Sequence, residues 1–221
     1  MVMAARKFAE PAMVRDMAHY GAFDAPLVLE CDFVAIDVET TGFEPAKGAR
    51  VIEFAAHRTR ADGTVLESFS TLINHGSPDT GAEFIHGISA EMLKDAPSFS
   101  DVWPAIESIM SNAIVVAHNA AFDMSFMASE IGLAGASMNT MPALCSYWLS
   151  RQAFPEFENH KLATVAANLG LTNSHAHDAS ADAMVVVQAL PQMFARIETV
   201  KHFIEPSVRL NMPAHVPIKR R

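Results

Sequence analysis

Cysteine is scarce in this sequence: the 221 residues contain two, Cys31 and Cys145, which lie far apart. No Cys-x-x-Cys pair is present, which excludes a zinc ribbon and a dithiol redox motif, and a reducing compartment is the simplest interpretation. No run approaches the roughly 18 apolar residues that a membrane helix needs, and the first residues lack a signal-peptide pattern. We therefore expect a cytoplasmic protein with no membrane partner.

Basic residues are also few, above all in the centre of the chain. The whole sequence has 16 Lys and Arg against 25 Asp and Glu, and from Asp32 to Thr199 the ratio is 8 to 20. Because phosphate affinity comes largely from Lys and Arg, such a domain is a poor general binder of nucleic acid. If it acts on nucleic acid, divalent metal ions are the expected means of offsetting its carboxylates.

The order of the predicted elements indicates a mixed α/β fold. Half of the residues are hydrophobic and 19% are charged, which is ordinary globular composition. Strands are predicted over 33–38, 50–56, 65–74 and 113–117. Helices are predicted over 98–110, 122–131, 145–153, 161–169 and 178–197. The first three strands favour an antiparallel meander, and the later alternation favours helices packed on the faces of one sheet.

The flanks differ from this centre in composition. Residues 1–31 are interpreted as an N-terminal leader or arm, and residues 200–221 as a mobile C-terminal tail that ends in Lys219-Arg220-Arg221. The remaining residues, 32–199, are predicted to form one domain.

Two carboxylates stand together at the end of the first predicted strand, in Asp37-Val38-Glu39. Residues i and i+2 of a strand point to the same face, so these side chains project together. Adjacent like charges are unfavourable unless a cation or a proton relieves them. A turn, Thr40-Thr41-Gly42, follows at once, which favours a functional site over a solvated strand end.

Two further segments place an acid at the start of a helix. Asp123 closes His118-Asn-Ala-Ala-Phe-Asp123 and falls in a first helical turn, where the helix dipole favours an anion. Asp182 closes His177-Asp-Ala-Ser-Ala-Asp182, at the start of the long last helix. Helical residues five apart do not share a face, so His177 must precede the helix if it is to meet Asp182. Each signal is weak alone, since single helix-start acids and loop histidines are common.

Together and in this order, the segments 33–42, 118–123 and 177–182 resemble the three motifs of the DnaQ-like DEDDh 3′→5′ exonucleases. The segment Phe84-Ile-His-Gly-Ile88 resembles this family's linker between its first two motifs. A histidine five positions before Asp182 is the mark of the histidine branch. The resemblance covers residues 33–194 and extends to the epsilon proofreading subunit of DNA polymerase III. It implies a ribonuclease H-like fold, a mixed five-stranded sheet with helices on both faces.

The resemblance also implies a hydrolase with two divalent metal ions, Mg²⁺ or Mn²⁺, that releases nucleoside 5′-monophosphates from a 3′ end. The implied metal ligands are Asp37, Glu39, Asp123 and Asp182, and the implied general base is His177. The residue types agree, because these ions prefer oxygen ligands and an imidazole accepts a proton near neutral pH. Two such ions about 3.5–4 Å apart can stabilise both the attacking and the leaving oxygen.

The predicted substrate-binding residues are Glu39, Thr40, Thr41, Ile85, His86, His118, Asn119 and Phe122. By resemblance, the backbone near Glu39 and the Ile85-His86 pair contact the terminal nucleotide, although core packing is the alternative for Ile85. Phe43 and Phe122 offer aromatic faces for a base, again with core packing as the alternative. Orientation of the second motif is the alternative role for His118 and Asn119.

The expected substrate is a nucleic acid 3′ end, with single-stranded DNA favoured over RNA, in proofreading or repair; a DNA polymerase subunit is the expected protein partner. An RNA-trimming enzyme of the same branch, such as a ribonuclease T or oligoribonuclease, stays open because 2′-hydroxyl contacts are local. A non-catalytic polymerase-docking module is the alternative of another class. Its signature would be a lost carboxylate or histidine, and all five positions are filled.

Overall fold

The computed structural model describes residues 22–24, 29–137, 143–173, 177–201 and 203–204. The strands are β1 (Ala22–Asp24), β2 (Asp32–Thr40), β3 (Val51–Arg60), β4 (Val65–Leu72), β5 (Ile114–Ala117), β6 (Ala143–Cys145), β7 (Thr199–Lys201) and β8 (Phe203–Ile204). The helices are α1 (Glu83–His86), α2 (Ala90–Leu93), α3 (Phe99–Met110), α4 (Ala120–Leu133), α5 (Ser146–Ala153), α6 (Leu162–Asn168) and α7 (Ala179–Phe194). Most of the predicted leader and tail lies outside the described residues.

One mixed sheet organises the chain, with strand order β4-β3-β2-β5-β6-β8. β2, β3 and β4 form the predicted antiparallel meander, and β5 and β6 continue parallel to β2. The predicted mixed five-stranded sheet is thus confirmed, and the two-residue β8 adds a sixth strand antiparallel to β6. β1 pairs separately with β7. Both β7 and β8 include residues beyond the boundary predicted at residue 199.

Alternation along β2 explains why helices cover both faces of the sheet. Val34, Ile36 and Val38 point into a core shared with α3 and α4. Phe33 and Ala35 point into a second core shared with α5, α6 and α7. A strand buried on both faces is a continuous apolar run, which is why 33–38 is recognisable in the sequence.

The predicted helices are confirmed as α3 to α7, with ends shifted by a few residues. Asp178 caps α7 as expected, since its Oδ1 accepts the Ala181 N–H at 2.8 Å. α7 ends at Phe194, three residues earlier than predicted. The one-turn helices α1 and α2 were not predicted, because four residues are too few for a recognisable helical period. Among the described residues, no helix has the length and apolar character needed to cross a membrane.

The topology brings the motifs to one edge of the sheet. β2 and β5 are parallel, so the first and second motifs, which follow their carboxyl ends, meet at the same edge. Gly81 packs the α1 loop directly on the first motif. A Cβ atom there would lie 2.3 Å from the Thr41 carbonyl oxygen, and the backbone φ is +70°. Only glycine therefore fits this contact.

Candidate active site

Asp37 and Glu39 lie on the last residues of β2, both partly exposed, on one face as the spacing predicts. Glu39 is opposite Glu53 of β3, and the register shifts between Glu39 and Thr40. Such an irregularity bends a strand and re-aims its side chains. The two acids therefore lie at the carboxyl end of β2, and the chain changes direction directly after them.

Asp123 lies in the first turn of α4 and is 2% exposed. Burial raises the pKa of its carboxyl, and hydrogen bonds from the backbone N–H groups of Asp123 and Val38 oppose that rise. The contact with Val38 places the Asp123 carboxylate against the residue between the two acids of β2. The second motif thus meets the first.

The third motif closes the site from α7. His177 precedes the helix, with a left-handed φ of 67°, and its N–H donates to Asp182 Oδ2 at 3.2 Å. Asn173 Nδ2 donates to the other oxygen, Oδ1, at 2.6 Å. One atom able to bind a metal ion from each of Glu39, His177 and Asp182 lies within 4.8 Å of the other two. The expectation that His177 lies outside the helix and meets Asp182 is confirmed.

Neighbouring acids help to raise the pKa of the two carboxyls of the first motif, Asp37 and Glu39. Burial is the main reason that the pKa of Asp37 is raised well above its usual range, followed by repulsion from Asp123, Asp182, Glu39 and Glu53. Burial, and then Glu53 and Asp182, raise the pKa of Glu39 to about 8. Shifts of this kind arise where carboxylates are gathered without compensating charge.

Compensating cations are missing from this cluster among the described residues. Five Lys and Arg residues form ion pairs within the described part of the chain, and all five pair with carboxylates outside the cluster. A set of carboxylate oxygens plus one imidazole suits a hard divalent cation such as Mg²⁺ or Mn²⁺. The residues present therefore fit a divalent-metal centre.

Two site residues were missed in the sequence. Glu53 is half-buried; its Oε2 accepts the Ala179 N–H at 3.3 Å and so links β3 to the start of α7. A single acid inside the apolar strand 50–56, beside Asp37-Val38-Glu39 in a meander, was a signal for it. Asn173 orients Asp182, but a loop asparagine carries no comparable signal.

Two of the substrate-binding residues predicted at the first motif, Thr40 and Thr41, use their hydroxyl groups in hydrogen bonds within the protein. Thr40 Oγ1 donates to the Gly42 carbonyl at 2.7 Å, and Thr41 Oγ1 accepts the Arg50 N–H at 3.0 Å. These bonds hold the turn that follows Glu39. Phe43 is 83% exposed at the same turn, so core packing does not account for it.

The linker residues differ from each other. Ile85 is 43% exposed, which contradicts core packing and leaves its side chain accessible. Both ring nitrogens of His86 are engaged, one with the Thr80 carbonyl at 3.0 Å and the other with the Ile88 N–H at 3.0 Å. His86 therefore shapes the α1 loop from within.

The second-motif residues divide in the same way. His118 Nδ1 contacts Ser146 Oγ at 3.1 Å, and burial lowers its pKa to about 4. This placement supports the orienting role for His118. Asn119 is exposed, with a left-handed φ of 72° directly before α4. Phe122 is partly buried, with its ring 4.9 Å from that of Phe126.

The fold and this cluster define a class of protein. The RNase_T family model, described as Exonuclease, matches residues 34–190, and the chain belongs to this exonuclease family. The resemblance to DnaQ-like exonucleases is confirmed. Structures titled "Exonuclease X in complex with 5′ overhanging duplex DNA" and "3′-end specific recognition of histone mRNA stem-loop by 3′-exonuclease" share the fold. Their TM-scores are 0.58 and 0.67 at 22% and 13% identity, covering 74% and 85% of this chain and 91% and 93% of theirs.

Particular relatives are more similar in sequence. The 3′-5′ exonuclease DinG of Bacillus subtilis (strain 168) is 37% identical over 154 residues, which are 69% of this chain and 16% of that protein. A DNA polymerase III subunit epsilon-like protein of Rhodobacter capsulatus is 34% identical over 172 residues, 74% of this chain and 24% of that protein. The chain thus spans less than a quarter of the length of these relatives.

Proposed function

We propose that this chain is a metal-dependent 3′→5′ exonuclease that removes nucleoside 5′-monophosphates from the 3′ end of DNA, in cytoplasmic proofreading or repair. One observation carries the proposal: the carboxylates of three separate motifs and His177 converge at one edge of the sheet. The raised pKa values of Asp37 and Glu39 support the binding of positive charge by this arrangement. This is the requirement of two-metal phosphodiester hydrolysis.

Asp37, Glu39, Asp123 and Asp182 would hold the two divalent ions, with Asp37 central because it interacts with the other three. Bound Mg²⁺ or Mn²⁺ supplies Lewis-acid stabilisation of the phosphate and lowers the pKa of a bound water. His177 is the general base. The hydrogen bond from its backbone N–H to Asp182 positions its backbone beside the cluster. Asn173 orients Asp182 from the opposite oxygen.

Exposed aromatic rings support a nucleic acid substrate. Phe43 is 83% exposed and Phe84 is 90% exposed. Gly81 packs the loop that leads to Phe84 against Thr41, two residues before Phe43, so both rings belong to the rim of the site. Aromatic faces stack with bases at about 1–3 kcal/mol each, whatever the base. Such rings can hold the terminal nucleotides of a single strand.

The names of the relatives favour DNA over RNA and a polymerase as partner. They include polymerase III proteins of the PolC type and an epsilon-like subunit. These names support DNA as the substrate and a DNA polymerase subunit as the protein partner. RNA trimming is the competing function, and the cleavage test described next distinguishes the two.

The test is a cleavage series with 5′-labelled single-stranded DNA, the matching RNA, and a duplex with a mismatched 3′ end. We expect a ladder that shortens from the 3′ end in Mg²⁺ or Mn²⁺, is lost in EDTA, and is strongest with DNA. Asp182→Asn should abolish it, whereas Glu107→Gln, an exposed carboxylate on α3, should not. A stronger RNA ladder would replace DNA by RNA, and no metal-dependent ladder at all would overturn the proposal.

A further inference from the structure

A surface beside the active site combines basic and aromatic side chains. α5 follows β6 directly, and β6 is parallel to β5, so the first turn of α5 lies at the same sheet edge as the motifs. A series of ring contacts starts at the second motif. The ring centroid of His118 is 5.8 Å from that of Tyr147, which is 5.2 Å from that of Trp148. This surface therefore adjoins the acidic site.

Trp148 and Arg151 form an exposed pair on α5. Trp148 is 44% exposed, and the guanidinium carbon of Arg151 lies 4.8 Å from its ring centroid. A cation–π contact restrains a guanidinium without neutralising its charge. The N–H donors of Arg151, which is exposed, stay able to bind an anion such as a phosphate.

Lys161 belongs to the same surface. It follows His160, which is 8% exposed and whose Nδ1 lies 3.0 Å from Ser150 Oγ on α5. The ring of His160 is 6.2 Å from that of Tyr147. These contacts tie the segment before α6 to α5, so the exposed ammonium of Lys161 is held close to the Arg151 helix.

The distribution of ion pairs gives this surface its charge. Of the eight Lys and Arg residues from 32 to 199, Arg60, Arg151 and Lys161 have no ion pair with a described carboxylate. Arg60 ends β3 at the opposite edge, opposite Asp32. The other two bases without an ion pair to a described carboxylate, Arg151 and Lys161, lie on two segments that the contacts of His160 with Ser150 and Tyr147 hold together. The nearby acids are Glu158 and Glu156, and Glu156 is paired with Arg196.

We propose that Trp148, Arg151 and Lys161 form a second substrate-binding surface, which holds the phosphodiester backbone of the strand upstream of the cleaved 3′ end. This inference rests on the proposed exonuclease function. It explains how the protein would bind long strands more tightly than short ones. The acidic site attracts phosphate only through its metal ions, whereas Lys and Arg bind phosphate directly. An acidic domain with two unpaired bases at this position can thus retain a polyanion between cleavage steps.

The activity test separates the second surface from the chemistry. The p-nitrophenyl ester of thymidine 5′-monophosphate has no upstream backbone, whereas an oligothymidylate of about twenty nucleotides does. In the double variant Arg151→Ala/Lys161→Ala we expect KM for the oligonucleotide to rise about tenfold while ester hydrolysis is unchanged. Arg60→Ala is the matched control, since it removes the unpaired base of the opposite edge and should change neither substrate.

A binding test uses the oligothymidylate with hydrolysis-resistant phosphorothioate linkages at its 3′ end. Each phosphate contact to a single strand contributes about 0.7 to the slope of log K against log salt, so the double variant should lose about 1.4. The strand should also quench tryptophan fluorescence in the wild type and not in Trp148→Phe, because the other tryptophan, Trp103, is buried.

The outcomes distinguish this inference from the proposed function. If the wild type hydrolyses neither the ester nor the oligonucleotide, the proposed exonuclease function is wrong. If it hydrolyses both, but the double variant equals Arg60→Ala in KM and in salt slope, the second surface is wrong. Equal quenching of the wild type and Trp148→Phe would also overturn the assignment of Trp148.

Discussion

The domain buries carboxylates in two places, and it treats them in opposite ways. Glu130, on α4, is 1% exposed and is fully compensated. It accepts two bonds from Arg50, at 2.7 and 2.8 Å, and a third from the Val51 N–H at 3.1 Å. Asp123, seven residues earlier on the same helix, is 2% exposed, but its neighbours are Asp37 and other acids.

The difference separates a structural acid from a functional one. At Glu130 the folded chain supplies the counter-charge, and the hydrogen bond with Glu130 raises the pKa of Arg50 further. At Asp37 the folded chain supplies repulsion from neighbouring acids, Asp123 among them, which a proton or a bound cation relieves. An enzyme that works with bound cations must leave such a site incomplete, at a loss of stability.

The largest expected effect is loss of activity at the uncompensated site. Asp37→Asn should lower kcat by about ten-thousandfold or more, roughly 5 kcal/mol, because the proposed function assigns Asp37 as the central metal ligand. The same change should leave the melting temperature in EDTA unchanged or higher, since it removes one repelling charge. Single-turnover cleavage and thermal unfolding would measure the two effects. Near-normal cleavage would show that Asp37 is not a metal ligand.

The compensated site should respond in the opposite sense. Glu130→Gln leaves the Arg50 guanidinium partly buried without its partner, and we expect a loss of about 3–5 kcal/mol in the free energy of unfolding. The folded fraction should keep its metal-dependent activity, because Glu130 lies about two turns along α4 from Asp123 and its hydrogen bonds go to Arg50 and Val51. Urea unfolding measures the loss, and replacing both partners by methionine should restore most of it. A stable but inactive Glu130→Gln would place Glu130 in the active site.

The sequence predicted the uncompensated site better than the compensated one. Asp37, Asp123 and Asp182 stand at motif positions where strands end and helices begin, which makes them visible as a set. Arg50 and Glu130 are 80 residues apart and follow no local pattern, so only the folded chain shows their pairing. Glu53 lies between these cases, because its partner Glu39 depends on strand register.

The elements of the fold divide in the same way, into those set by a local pattern and those set by distant neighbours. Periodicity predicted the central strands and the long helices, since buried faces impose a repeating pattern. It did not predict β8, α1 or α2, which are two to four residues long and depend on neighbouring elements. Ile85 shows the limit for single residues: substrate binding and core packing were both open in the sequence, and only the fold shows that its side chain is 43% exposed.

A smaller effect should appear in the pH dependence of stability without metal. The pKa of Glu39 is raised from 4.5 to about 8, so between these pH values the folded protein binds a proton that the unfolded chain has lost. The free energy of unfolding should therefore fall as pH rises through this window, by about 1–3 kcal/mol after screening at this partly exposed group.

Thermal unfolding in EDTA at pH 5 and pH 8 measures this slope. Glu39→Gln should flatten it, and Mn²⁺ should stabilise the wild type more at pH 8 than at pH 5, since the metal replaces the protons. An equal slope in Glu39→Gln would assign the effect to other groups. Stability that increases with pH in EDTA would contradict the picture of uncompensated acids.

The smallest expected change in stability belongs to His118, one of two histidines that sequence reasoning placed in one site. Burial lowers the pKa of His118 to about 4, so it is neutral at working pH, with Nδ1 bonded to Ser146. His118→Asn should lower the free energy of unfolding by about 0.5–1.5 kcal/mol, the contribution of one hydrogen bond, and leave the shape of the pH–rate profile unchanged. His177→Asn should leave the free energy of unfolding nearly unchanged, because the variant keeps the backbone N–H that donates to Asp182. It should change the shape of the pH–rate profile, because the imidazole is lost. An altered profile in His118→Asn, or an unaltered one in His177→Asn, would exchange their roles and move the general base to the second motif.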